Sequence, residues 1–220
     1  MSDFPKPFEQ YQNHVALRTP FSFLLELLTY YGQSNEENVK RELSEILDDC
    51  EKSGDEYTLI SIVMCVCERG ESRQYGACLS CGSDIAKNIM TAVSCLHVWH
   101  PKVSSAVMSM FPDDAGEPHS IKLPDTVRCR AYAMEKLEEL KPPCKRCNQL
   151  YSLPDPTDHL NTPGTCAETE AISNLLRAEE GVSDQCEITQ NMENYFKTNM
   201  QKLRKTNNRD YKIDRVYFPN

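Results

Sequence analysis

Two short stretches hold the residues best suited to chemistry. Pro143-Cys144-Lys145-Arg146-Cys147 places two thiols at i and i+3. If a helix starts there, both face the same side of its first turn and can grip one soft metal ion. Thr165-Cys166-Ala167-Glu168-Thr169-Glu170-Ala171 follows Pro163-Gly164 and runs into a helical pattern from Ile172 to Glu180. The free N–H groups and positive dipole end of a helix start favour thiolate over thiol. Glu168 also reads as the second half of a capping box, with Thr165 as the N-cap.

Together the two stretches resemble the zinc site of the cytidine deaminase superfamily, where Cys- or His-Ala-Glu opens one helix and Pro-Cys-x-x-Cys opens another. The resemblance implies zinc held by Cys144, Cys147 and Cys166, a fourth position left for water, and Glu168 as the proton-carrying acid/base. It implies hydrolytic loss of ammonia from a cytosine- or adenine-type base, and an α/β domain with a mixed sheet layered with helices. Familiar members carry the Ala-Glu motif first. Here the order is reversed, and only Cys186 follows Glu168 as a further cysteine. From Cys147 to Cys166 is 166 − 147 = 19 residues. An extended chain of about 11 residues spans more than about 30 Å, so the loop can return to a shared centre.

Other readings compete. Cys144 and Cys147 could share a structural four-sulfur site with Cys78 and Cys81, although the usual spacing of such pairs is far shorter. A redox pair should follow a strand rather than a helix and two prolines. The zinc could also serve only to staple loops in a non-catalytic interaction protein or an inactive relic. His97 and His100 flank Trp99 and read as a packed aromatic segment. His159 reads as a loop residue that could border a pocket. Cys65, Cys67, Cys95 and Cys129 sit in apolar surroundings and read as core thiols.

The elements that must position these residues follow from periodicity. Residues 1–18 read as an irregular arm. Thr19-Pro20 starts a helix carrying Phe23, Leu24, Leu27 and Leu28, and Ser34 or Asn35 caps a second through Val39, Leu43, Ile46 and Leu47. These make an N-terminal hairpin within residues 1–56, and residues 57–220 form the deaminase-like α/β domain. Tyr57–Cys67 reads as a buried strand, followed by a second strand from Tyr75 to Cys81. A helix is expected from Ser83 or Asp84 to about Cys95, a third strand over Val103–Phe111, and a helix from Asp125 past Leu137. Asn148–Leu153 reads as a short helix. Gly181 ends the Cys166 helix, Ser183 opens another through Leu203, and Tyr211–Phe218 reads as a last strand.

The chain has 220 residues, with 26% charged and 40% hydrophobic side chains, which suits a globular protein. Its net charge of −9 argues against broad binding to nucleic acid or acidic membranes. Phe196–Asn220 carries seven Lys/Arg and two Asp/Glu, net +5, leaving −14 on the rest. That leaves nucleic acid open as a partner of the basic segment, beside a small base-containing substrate. Eleven cysteines without a secretory signal point to a reducing, intracellular setting, cytoplasmic or nuclear, with free thiols and metal ligands rather than disulfides. The longest apolar stretch, Phe21–Tyr31, is too short to cross a bilayer.

Overall fold

A computed structural model describes residues 19–30, 35–53, 61–80, 84–111, 120–188 and 198–199. Helices α1 (Pro20–Tyr30) and α2 (Glu36–Ser53) precede the hairpin of β1 (Val63–Arg69) and β2 (Ser72–Ala77). Then come α3 (Asp84–His97), α4 (Pro101–Met110) and the short β3 (Ile121–Lys122). A second hairpin joins β4 (Arg128–Ala133) to β5 (Lys136–Lys141). The chain continues through α5 (Lys145–Tyr151), α6 (Ala167–Ala178), α7 (Glu180–Gln185) and β6 (Glu187–Ile188). The two hairpins combine into one four-stranded sheet of order β2-β1-β4-β5, antiparallel throughout, and β3 pairs with β6 separately. The layered α/β class expected from the sequence is present.

Strand alternation explains the layering. Along β1, Met64 and Val66 join one cluster with Phe21, Leu25, Val39 and Leu43 of the helical hairpin. Their neighbours Cys65 and Cys67 point the other way, into a larger cluster with α4, α5 and α6. Successive strand residues face opposite sides, so one nearly continuous apolar strand serves two cores. Thr19 caps α1 by accepting the Ser22 N–H at 3.1 Å, and Asn35 caps α2 by accepting the Glu37 N–H at 2.9 Å. Both caps match the sequence reading.

Three expectations are corrected. Val103–Phe111 is not a strand: Pro101 opens α4, and the His100 ring accepts the Lys102 N–H at 3.2 Å as its cap. Asp125–Leu137 is not a helix: it holds β4, the turn after it and the start of β5, and the ladder pairs Tyr132 with Leu140. The helix expected from Ser183 is the short α7, which already begins at Glu180 and gives way to β6. Residues 189–197 and Tyr211–Phe218 lie outside the described residues, as does the arm 1–18. The cysteine reading also changes. Cys67 and Cys129 are a disulfide, not free core thiols, because they stand directly opposite each other on β1 and β4 with Cα atoms 4.3 Å apart. Cys65 and Cys95 are free and buried as expected. Among the described residues, no helix is long and apolar enough to cross a membrane.

Candidate metal centre and cavity

Cys144 is the N-cap of α5 and Cys166 the N-cap of α6, both in extended backbone conformation. Cys147 lies one turn into α5. The three Sγ atoms fall within 4.8 Å of one another, with Cys144 at 3.7 Å from Cys147 and 3.4 Å from Cys166. Hydrogen bonds shared among the sulfurs hold Cys144 well below the usual thiol range and Cys147 and Cys166 well above it. Among the described residues this is the one cluster of three or more such donors able to hold a metal ion. Three soft sulfur donors gathered at two helix N-termini fit zinc, which takes Cys ligands readily. Cys78 stands apart, its Sγ 3.1 Å from the Ser61 hydroxyl, and Cys81 lies outside the described residues.

Several contacts force α6 into this position. Gly76 of β2 lies so close to α6 that a Cβ there would come within 2.3 Å of Ala171 N and 2.5 Å of Ala167 O. Glu170 accepts the Ala77 N–H at 2.7 Å and the Ser22 hydroxyl at 2.8 Å, tying α6 to β2 and α1. The Leu79 N–H donates to Thr165 O at 2.9 Å. Tyr151, fully buried on α5, donates to the Thr169 hydroxyl at 3.0 Å and joins the two ligand-bearing helices. Gly164 has φ +85, and a Cβ there would press within about 3 Å of Thr91 and Trp99. Trp99 and His100 therefore act as packing and capping groups, as the aromatic reading had it.

The capping box does not form. The helix starts at Ala167, and the Thr165 hydroxyl donates to Thr162 O at 2.8 Å instead of receiving a helix N–H. Glu168 thus sits in the first turn, buried, on the wall of a cavity of about 610 Å³. Burial pushes its carboxyl up to about 7. Cys144, Cys166 and Ala167 line the same cavity, with Ile62, Val63 and Ala131 as apolar walls. Lys87, Lys141 and His159 also face it. The structure thus brings Cys144, Cys147 and Cys166 together and sets Glu168 beside them.

The strap from Ser152 to Thr165 carries His159 where the sequence reading put it, in a loop bordering the cavity, and adds Asn161, which that reading missed, as it missed Arg146. His159 is exposed, borders the cavity and shares a 2.8 Å hydrogen bond with Asn161 Oδ1. Asn161 Nδ2 donates to Cys166 Sγ at 3.1 Å. Arg146, between the paired cysteines and 2% exposed, reaches Asn161 O with Nε at 3.5 Å and Gln149 with Nη1 at 2.8 Å. No short-range spacing links Arg146 and Asn161 to the cysteines, so only the fold reveals those two. Comparison with protein-family models, with curated proteins and with solved structures found no match to this chain.

Proposed function

We propose that this chain is a zinc-dependent, deaminase-like hydrolase acting on a cytosine- or adenine-type base of a nucleoside, nucleotide or nucleic acid. One observation carries the reading. Two motifs in reversed order converge, so that three thiols lie within 4.8 Å of one another and two of them, Cys144 and Cys166, line one cavity of about 610 Å³ together with Glu168. That volume suits a small-molecule site. A zinc that only stapled loops would need no such space beside it.

Cys144, Cys147 and Cys166 would hold the zinc, which when bound supplies Lewis-acid activation of a water at its open position. Glu168 would take a proton from that water at a carboxylate oxygen and return it to the departing amine. The exocyclic C–N bond is replaced by C–O, and ammonia leaves. Ile62, Val63 and Ala131 offer apolar walls to a flat base, and the strap lines another part of the cavity with His159, Leu160 and Asn161.

The test combines metal analysis with turnover. One zinc per chain is expected, lost when Cys144, Cys147 or Cys166 becomes Ser and retained in Cys78→Ser. Glu168→Gln should keep zinc and fold while ammonia release from a responsive base compound falls at least about 10²–10⁴-fold. Zinc without turnover by the wild-type chain across a broad panel of cytosine and adenine compounds would favour the stapling role.

A further inference from the structure

We infer that Asn161 is a positioning residue that fixes the Cys166 sulfur and tunes it as a metal ligand, with His159 setting the orientation of its amide. The inference rests on the metal-site reading above. It starts from the chemistry of an amide beside sulfur. Asn161 Nδ2 lies 3.1 Å from Cys166 Sγ, and Oδ1 lies 2.8 Å from His159 Nε2. A metal-bound thiolate repels a carbonyl oxygen and attracts an N–H, so electrostatics selects the orientation with Nδ2 towards sulfur. Oδ1 must then accept, which assigns the proton of the His159 ring to Nε2.

The backbone around Asn161 is held independently. The buried Arg146 guanidinium reaches Asn161 O at 3.5 Å, the Lys145 N–H donates to His159 O at 2.9 Å, and the Thr157 N–H donates to Pro143 O at 2.9 Å. The first turn of α5, which carries two of the sulfurs, thus clamps the segment that reaches the third. A donated hydrogen bond withdraws charge from sulfur. It favours thiolate over thiol and lowers the energy of the sulfur lone pairs. Partners of this kind typically change metal affinity by about 10–100-fold when removed.

Cobalt(II) serves as the probe in the full chain, because thiolate-to-cobalt charge transfer reports each sulfur directly. Wild type should bind one Co(II) with a charge-transfer band whose intensity drops in Cys166→Ser. Asn161→Leu keeps the side-chain volume and removes the donor. It should retain three-sulfur intensity, move the band to lower energy and release metal to a chelator at about 10–100-fold lower competitor concentration. His159→Ala, which leaves Asn161 in place, should shift both readouts in the same direction by less. A residue that merely packed the strap would leave the band energy unmoved. Unchanged spectra and chelator competition in Asn161→Leu, or an unshifted band in His159→Ala should Asn161→Leu not fold, would overturn the inference while leaving the metal site standing. Failure of wild type to bind Co(II) through Cys166 would overturn the metal-site reading itself.

Discussion

Two glutamates open α6, and their surroundings assign them opposite tasks. Glu170 is a structural anchor, accepting hydrogen bonds from the Ala77 N–H and the Ser22 hydroxyl. Truncating it leaves the buried Ala77 N–H without its acceptor, while the Ser22 hydroxyl keeps Thr19 as a partner, so Glu170→Ala should lower stability by about 1–3 kcal/mol in chemical denaturation. Glu168 is held at 7% exposure on a cavity wall, where desolvating an ionised carboxylate opposes folding. Glu168→Gln should therefore melt at the wild-type temperature or above it, the trade expected of a side chain kept for chemistry. A drop in melting temperature as large as that of Glu170→Ala would return Glu168 to a structural role. The sequence placed both residues at a helix start but could not separate them, because Thr165-x-x-Glu168 satisfies the capping-box pattern equally well. What decides is that the chain enters the helix one residue later, at Cys166, a tertiary consequence of the sulfur cluster and of the Leu79–Thr165 hydrogen bond.

At the scale of elements, the legible parts were those with a clear period or a clear cap. The α1 and α2 caps, the β1-β2 hairpin and α3 follow from local signals. α4 was misread because it is buried nearly all round, Ser104 and Ser109 included, so its polar face is missing and its apolar run looks like a strand. The β4-β5 hairpin turns at Met134-Glu135, without the Gly or Asn that usually marks a tight turn, while Val127, Ala131 and Met134 happen to keep helical spacing. Docking of α2 on this hairpin depends on Glu36, which accepts from Tyr132 and meets both Lys40 and Arg130. Burial pushes the Glu36 carboxyl up, but these hydrogen bonds outweigh it and hold it below the usual range. Its stabilisation is therefore fully present above the ordinary glutamate pKa of about 4.3 and is lost as pH falls from there through the lowered folded value. Glu36→Gln should cost about 1–3 kcal/mol near neutral pH, with the difference from wild type fading in acid. A gap between the two proteins that stayed constant down to strongly acid pH would exclude this role. Gly76→Ala tests the other layer. Its Cβ would collide with the α6 backbone, so a loss of about 1–3 kcal/mol should come with weakened zinc retention.

The whole molecule explains how reversed motifs still meet. α6 follows β5 in the chain yet packs against β2 and β1, at the opposite side of the sheet order β2-β1-β4-β5. The strap must therefore cross back over the sheet, and in doing so it lines the cavity and delivers Asn161 to Cys166. The sequence showed that this return was long enough; it could not show which strap residues would reach the sulfurs. On a chain of net −9, the cavity is faced by Lys87, Lys141 and His159, while Glu168 is its one acidic lining residue among those described. The Lys87 and Lys141 ammoniums put positive charge on the cavity wall, which draws the phosphate of an anionic ligand towards the opening. On the proposed activity, a phosphorylated nucleotide should therefore be turned over with higher kcat/KM than its free nucleoside at low ionic strength, and the advantage should shrink as salt screens it. Lys141→Glu should reduce kcat/KM for the nucleotide by about tenfold or more and affect the nucleoside much less. Equal losses for both substrates, or a nucleotide preference that salt does not alter, would assign Lys141 to packing or to the acid/base site rather than to steering.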